Sequence, residues 1–339
     1  MSLLRQGIAP SIMAICMCFA SAAHATDKIN FQLDWLAGGD KAPVYVGIAK
    51  GFFAKQDLDV SVTPGSGSND ALTRIASGRA DIGLTDITAL MVARARADLP
   101  VKAFLSVFTQ APHAFYVRED SPIKNINDLK GKKLATATNT SSNYFLPLVL
   151  TKNGIDPSSI HLVNTDPNAQ AGLLITKQVD GVITWVTDYA TYEQAAKEAG
   201  TGVRMMPWYN YGLETYATSV IANQAYLDAH PDVIKRFSTA YLQSIEYTFA
   251  HPHEAAEAVH SIVPEVDEAT AEETINRIRP LVYNDISQRD GLGKFTPAYL
   301  KSTWQLTAKS QGIEEESYDP LSTVDARYLT KSAEAPATK

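Results

Sequence analysis

His253, Glu257 and His260 stand at i, i+4 and i+7 of a stretch that reads as helix, with His251 just ahead of them. Two imidazoles and a carboxylate on one helix face have the spacing of a zinc site. The same pattern suits an ordinary solvated face, and the sequence favours that reading. The motifs of catalysis are missing elsewhere: no HExxH and no GxSxG occurs. Gly65-Ser66-Gly67 begins a dinucleotide-type glycine pattern, but Asp70 occupies the place of its third glycine. Gly293-Lys294 has Gln288 where a phosphate loop needs glycine, and its first hydroxyl comes only at Thr296. Cys16 and Cys18 both fall within the first 26 residues. A chain starting at Thr26 then holds no thiolate nucleophile, disulfide, iron–sulfur cluster or cysteine zinc site. No catalytic residue, cofactor, metal or enzymatic activity is therefore expected.

Binding chemistry is richer. Gly65-Ser66-Gly67-Ser68-Asn69 and Thr138-Asn139-Thr140-Ser141-Ser142-Asn143 each lead into a helix. They offer hydroxyls and free backbone N–H groups where the helix dipole favours anionic or electron-rich atoms. Helix capping needs only one such residue, so a ligand role and plain capping both stand open. Trp185, Tyr189, Tyr192, Trp208, Tyr209, Tyr211 and Tyr216 crowd into one region. Tyr189 and Tyr192 have core spacing, whereas Trp185 ends a strand at the edge where α/β sheets bind ligands.

The elements that must position these groups alternate. Strands are expected at 28–33, 58–62, 80–84 and 101–108, with helices at 43–50, 70–79 and 86–97. A second cycle follows, with strands at 115–117, 133–138, 160–164, 181–185 and 203–206 and helices at 142–153, 168–178 and 189–199. A β-rich run returns at 218–221, and from Gln224 the pattern is helical. Such alternation implies parallel α/β sheets. Gly78-Arg79-Ala80-Asp81-Ile82-Gly83 is echoed by Lys177-Gln178-Val179-Asp180-Gly181-Val182, a faint sign of two similar lobes.

The chain has 339 residues, 45% hydrophobic and 20% charged, with a formal net charge of -7. No basic stripe follows a phosphate backbone, so nucleic acid is not an expected partner. Gln6 to Thr26 carries no Asp, Glu, Lys or Arg, and Ala23-His24-Ala25 is a small-x-small site. Residues 1–25 thus read as a secretory signal cleaved after Ala25, giving an exported, periplasmic product. Glu314-Glu315-Glu316 reads as a solvated end, and 331–339 as a disordered tail.

Several stretches resemble a known family in order and spacing: Leu33-Asp34-Trp35, Tyr45-Val46-Gly47-Ile48-Ala49-Lys50-Gly51-Phe52-Phe53, Leu129-Lys130-Gly131-Lys132-Lys133-Leu134 and Asn153-Gly154-Ile155, besides the two echoed segments. The chain resembles the type II periplasmic binding proteins of ABC importers, in the branch shared with thiamine-pyrimidine synthase and with sulfonate, taurine and nitrate binders. That resemblance implies an α/β protein of two lobes, 26–113 with 217–330 and 114–216, hinged by strands near 113–116 and 215–222. It implies a monomer that closes on a small solute and delivers it to a permease and its ATPase. On matching positions it implies a pocket of Asp34, Trp35, Tyr45, Ser66, Ser68, Asn69 and Asp86 facing Asn139, Thr140, Ser141, Trp185 and Asp188. The synthases carry a His-Thr-Gly after the Asp-Trp strand and a cysteine-rich iron motif. Here Lys41-Ala42-Pro43 stands in that place, so the resemblance implies no synthase activity. Lys41 suits a carboxylate or sulfonate through a charge-assisted bond, unless it simply faces solvent. Asp34-Trp35 leans the ligand toward a pyrimidine-type heterocycle, with an aromatic carboxylate or a sulfonate as the alternative. A sensory role on the same fold also stays open.

Overall fold

A computed structural model describes residues 26–328. The expected leader 1–25 and tail 331–339 lie outside these residues. Two five-stranded sheets organise the described residues. The first contains β1 (Asp27–Gln32), β2 (Leu58–Thr63), β3 (Ile82–Asp86), β4 (Val101–Ser106) and β10 (Thr218–Asn223), in the order β2-β1-β3-β10-β4. The second contains β5 (His113–Arg118), β6 (Lys133–Thr136), β7 (His161–Asn164), β8 (Gly181–Trp185) and β9 (Val203–Pro207), in the order β7-β6-β8-β5-β9.

The sheets are mixed, which corrects the expectation of parallel ones. β1 pairs in parallel with β2 and β3, but β10 runs antiparallel to β3 and β4. β5 likewise runs antiparallel to β8 and β9. The reversed strand in each sheet is the one entered from the other lobe, so it cannot arrive through the right-handed crossover that makes neighbours parallel.

The helices are α1 (Ala42–Ala49), α2 (Ser68–Ala76), α3 (Ile87–Ala97), α4 (Ser142–Lys152), α5 (Gln170–Ile175) and α6 (Tyr189–Glu198). After β10 come α7 (Gln224–Ala229), α8 (Pro231–Ala250), α9 (Pro252–Ile262), α10 (Glu268–Val282), α11 (Asp285–Asp290) and α12 (Pro297–Gln311). α8 covers the first sheet through Phe237, whose ring stacks on Phe31, Phe53 and Tyr241 at 5.7, 5.2 and 5.5 Å between centroids. In the second lobe Phe115 packs on Trp208 at 4.9 Å, both buried. Offset aromatic pairs of this kind add about 0.5–1.5 kcal/mol to area burial. Among the described residues no helix is long and apolar enough to cross a membrane.

The echo found in the sequence has a structural meaning. Asp81 precedes β3 and Asp180 precedes β8, the central strands of the two sheets. The Asp81 carboxylate accepts from the Asn30 backbone N–H at 2.8 Å, and the Asp180 carboxylate from the Lys133 N–H at 2.8 Å. Gly78 and Lys177, three residues earlier in each, both take a left-handed conformation, with φ of 70° and 61°.

Candidate functional site

β1 ends at a sharp bend that carries Asp34, and a short helical turn then brings Asp40 and Lys41 back against it. Lys41 is fully buried, with its ammonium 2.6 Å from Asp34 and 2.9 Å from Asp40. Burial alone would lower the lysine's pKa, but the two carboxylates together outweigh it and hold the ammonium charged. Burial raises Asp40, with Lys41 opposing. Neither sequence reading of Lys41 is met: it does not face solvent, and its charge is consumed by two aspartates before any anionic ligand arrives. A buried ammonium is tolerated only when paired, and two carboxyl groups pair this one. The same ammonium lies 5.6 Å from the Trp185 ring centroid, reaching toward the second lobe.

The two serine-rich loops do not frame an open cavity; they touch each other. The Asn69 N–H donates to the Asn139 carbonyl at 3.1 Å, and the Tyr144 hydroxyl donates to the Asn69 side chain at 2.6 Å. Deeper in, the Ser141 hydroxyl donates to Asp86 at 2.7 Å. Asp86 also caps α3, accepting from the Thr88 N–H and hydroxyl at 2.9 and 2.7 Å. Burial pushes its pKa up to about 6 against the hydrogen bonds from Ser141 and Thr88. His113, the first residue of β5, lies 3.5 Å from Asp86 and is kept neutral by burial, with its pKa lowered to about 3. The pocket between Asp34, Trp35, Gly67, Ser68, Thr140, Thr184 and Trp185 holds only about 10 Å³. This is a lobe-closed geometry.

The large opening lies beside that contact. A cleft of about 460 Å³ is lined by 35–40 from the first lobe, by Asn168, Gln170, Thr187, Asp188 and Tyr192 from the second, and by the α9–α10 turn. Its charged residues are Asp40, Asp188, Glu265 and Asp267, with no lysine or arginine among them. Asp188 accepts a short hydrogen bond from the Thr184 hydroxyl. Its pKa is pushed up to about 7, mainly by burial, with Thr184 opposing and Asp40 reinforcing.

Of the sequence-predicted residues, Asp34, Trp35, Ser68, Thr140 and Trp185 meet around the small central pocket, and Trp35 and Asp188 face the large cleft. Asp86, Ser141 and Asn69 tie the lobes together. Ser66 and Asn139 are exposed, and Asn139 contributes only its backbone carbonyl. Tyr45 is buried and lines a neighbouring cavity of about 300 Å³ with Val60, Val62 and Ile262. Sequence reasoning missed Asp40, Thr184 and His113. Asp40 adjoins Lys41 and is legible once Lys41 is known to be buried; His113 carries no local signal.

Comparison with known proteins fits this geometry. The family model described as NMT1/THI5 like matches residues 39–255. A formylaminopyrimidine-binding protein from Halalkalibacterium halodurans is 27% identical over 74% of this chain and 77% of its own length. A 4-amino-5-hydroxymethyl-2-methylpyrimidine phosphate synthase from Candida albicans is 27% identical over 68% of this chain and 70% of its own. The solved structure of an alkanesulfonate-binding protein from Xanthomonas axonopodis pv. citri, bound to MOPS, superposes with a TM-score of 0.70 at 15% identity, covering 88% of this chain and 97% of that one. It shares the two-lobed periplasmic binding fold. The synthase relative overturns the expectation that this chain stands apart from enzymes: lacking a downstream cysteine motif and a His-Thr-Gly does not separate it from proteins named as synthases.

Proposed function

The chain belongs to the NMT1/THI5-like family, and from that premise we propose that it is the exported solute-binding component of an ABC importer, closing its two lobes on a pyrimidine-type nitrogen heterocycle. The observation that carries the ligand class is the charge of the cleft. Four acidic side chains line it with no lysine or arginine among the lining residues, and the Lys41 ammonium is already paired with Asp34 and Asp40. Such a wall accepts hydrogen bonds from ring and amino N–H groups and repels a sulfonate, a carboxylate or nitrate. Trp35 and Tyr192 supply aromatic surface for a flat ring. The formylaminopyrimidine-binding relative supports the same class.

The ligand would bridge Asp34–Asp40 and Thr184–Asp188, contacting both lobes, and only such differential contact shifts an open–closed equilibrium. The closed form would then dock on a permease with its ATPase. The division into 26–113 with 217–330 and 114–216 belongs to this proposal, as does removal of 1–25 on export.

A thermal-shift panel of aminopyrimidines, purines, aromatic carboxylates, sulfonates and nitrate tests the reading. A pyrimidine at about 100 times its dissociation constant should add about 2.7 kcal/mol, a shift of a few degrees. Loss of that shift in Asp188→Asn is the expected result; a sulfonate or carboxylate hit unaffected by Asp188→Asn would sink it. Mass spectrometry of the same incubations distinguishes returned solute from a converted product, the outcome the synthase relative's name makes worth measuring.

A further inference from the structure

The helix face bearing His253 and Glu257 is completed by a second helix. His260 leaves the set that spacing suggested: its Nδ1 lies 2.9 Å from the Val266 carbonyl. In its place α10 supplies Glu268 and Glu272. One donor atom each from His253, Glu257 and Glu268 lie within 4.8 Å of one another. The His253 Nδ1 is 2.9 Å from Glu272 and 3.8 Å from Glu268, while Nε2 is 3.6 Å from Glu257. An Nδ1–H given to Glu272 fixes the imidazole's orientation and leaves Nε2 for a metal, the carboxylate–histidine arrangement that tunes metal sites.

Charge points the same way. Three carboxylates surround one imidazole, and among the described residues no lysine or arginine ion-pairs with Glu257, Glu268 or Glu272. Even with His253 protonated, the cluster keeps a net negative charge. We infer that His253, Glu257 and Glu268 bind a borderline divalent cation of the zinc class, with Glu272 holding the histidine in place. One nitrogen with carboxylate oxygens suits zinc, cobalt or nickel better than magnesium or calcium, which take oxygen-only shells. Zinc bonds of about 2.0–2.2 Å require the three side chains to draw closer, and all three are solvent-accessible enough to turn. A cation there clamps α9 to α10, and the turn between them, Val263 to Asp267, lines the solute cleft. The site is independent of the ligand proposed above.

The test is isothermal titration of the chelator-treated full chain with zinc chloride, and with magnesium and calcium chlorides as comparison. Expected is one saturable zinc site, weakened about tenfold or more in His253→Ala and in Glu257→Gln, and unchanged in His260→Ala. Circular dichroism confirms that each surface variant is folded. Glu272→Gln should weaken binding less than Glu257→Gln, as fits an orienting rather than a ligating residue. Absence of saturable zinc binding, equal binding in His253→Ala, or loss in His260→Ala instead would each overturn the inference.

Discussion

A single carboxyl decides how the cleft reads pH. Asp188 has its pKa pushed up to about 7, chiefly by burial. It therefore titrates near neutral pH, and only the ionised form is a pure acceptor for a donor-bearing ring. The binding-competent fraction rises as pH rises through that value. Affinity for an aminopyrimidine should accordingly tighten by up to about tenfold between about pH 6 and pH 8, measured with a ring whose own ionisation lies outside that range. Asp188→Asn should bind weakly at every pH, with no tightening as pH rises. The ligand-free protein gives the opposite slope: a folded-state pKa above the unfolded one adds stability at low pH that is lost as pH rises through the folded value. Urea midpoints should fall from about pH 4 to pH 7 in the parent more than in Asp188→Asn. A pH-independent affinity in the parent would remove Asp188 from the ligand's reach. At this scale the sequence was only partly legible. Through the family resemblance it grouped Asp34, Trp35, Trp185 and Asp188; Asp34, Trp35 and Trp185 line one small pocket, and Asp188 lies in the cleft beside it. It mistook Lys41, because whether a lysine is buried depends on Asp34 and Asp40 closing on it, which is tertiary.

Elements were far more legible than side chains. Period-two and helical patterning located the strands within two residues and most helices before Gln224 as closely. The six helices from there on were read only as one helical region, since one apolar face per element is written into the order of residues but the breaks between successive helices are not. The helix expected over 168–178 is regular only at Gln170–Ile175. Strand direction was not legible for β5 and β10, which depends on the route of the chain between lobes. The repeated Asp at the entry to β3 and β8 is an element-scale device that both lobes use. Each carboxylate accepts a backbone N–H of a neighbouring strand, that of Asn30 within β1 or of Lys133 at the start of β6, and so helps to fix parallel register. Asp81→Ala and Asp180→Ala should each cost about 1–2 kcal/mol in urea denaturation, with the larger cost at Asp81, which also accepts from the Asn30 side-chain amide at 3.1 Å. A large cost at one site and none at the other would mean that the echo is a coincidence of sequence.

Closure is a property of the whole molecule, and one glycine controls how near the lobes can come. Gly67 precedes α2 with a φ of 142°, and a Cβ built there would lie 2.4 Å from the Asn139 carbonyl oxygen of the opposite lobe. The Asn69–Asn139, Tyr144–Asn69 and Ser141–Asp86 bonds all require that approach. Alanine at this position has two effects, local backbone strain and a wedge between lobes, and a second glycine separates them. Gly78 also has a left-handed φ, 70°, but a Cβ there meets nothing within 4 Å. Both Gly67→Ala and Gly78→Ala should lower thermal stability through strain. Only Gly67→Ala should enlarge the radius of gyration in solution scattering and weaken ligand binding, since affinity scales with the fraction of molecules able to close. If the two variants scatter alike and bind alike, the contact between the serine-rich loops is incidental, and closure must be governed by the α12–α4 and α10–α6 contacts instead. The wedge experiment thus asks whether the hydroxyl-rich loops, which the sequence offered as ligand cradles, serve as the surfaces on which the lobes meet.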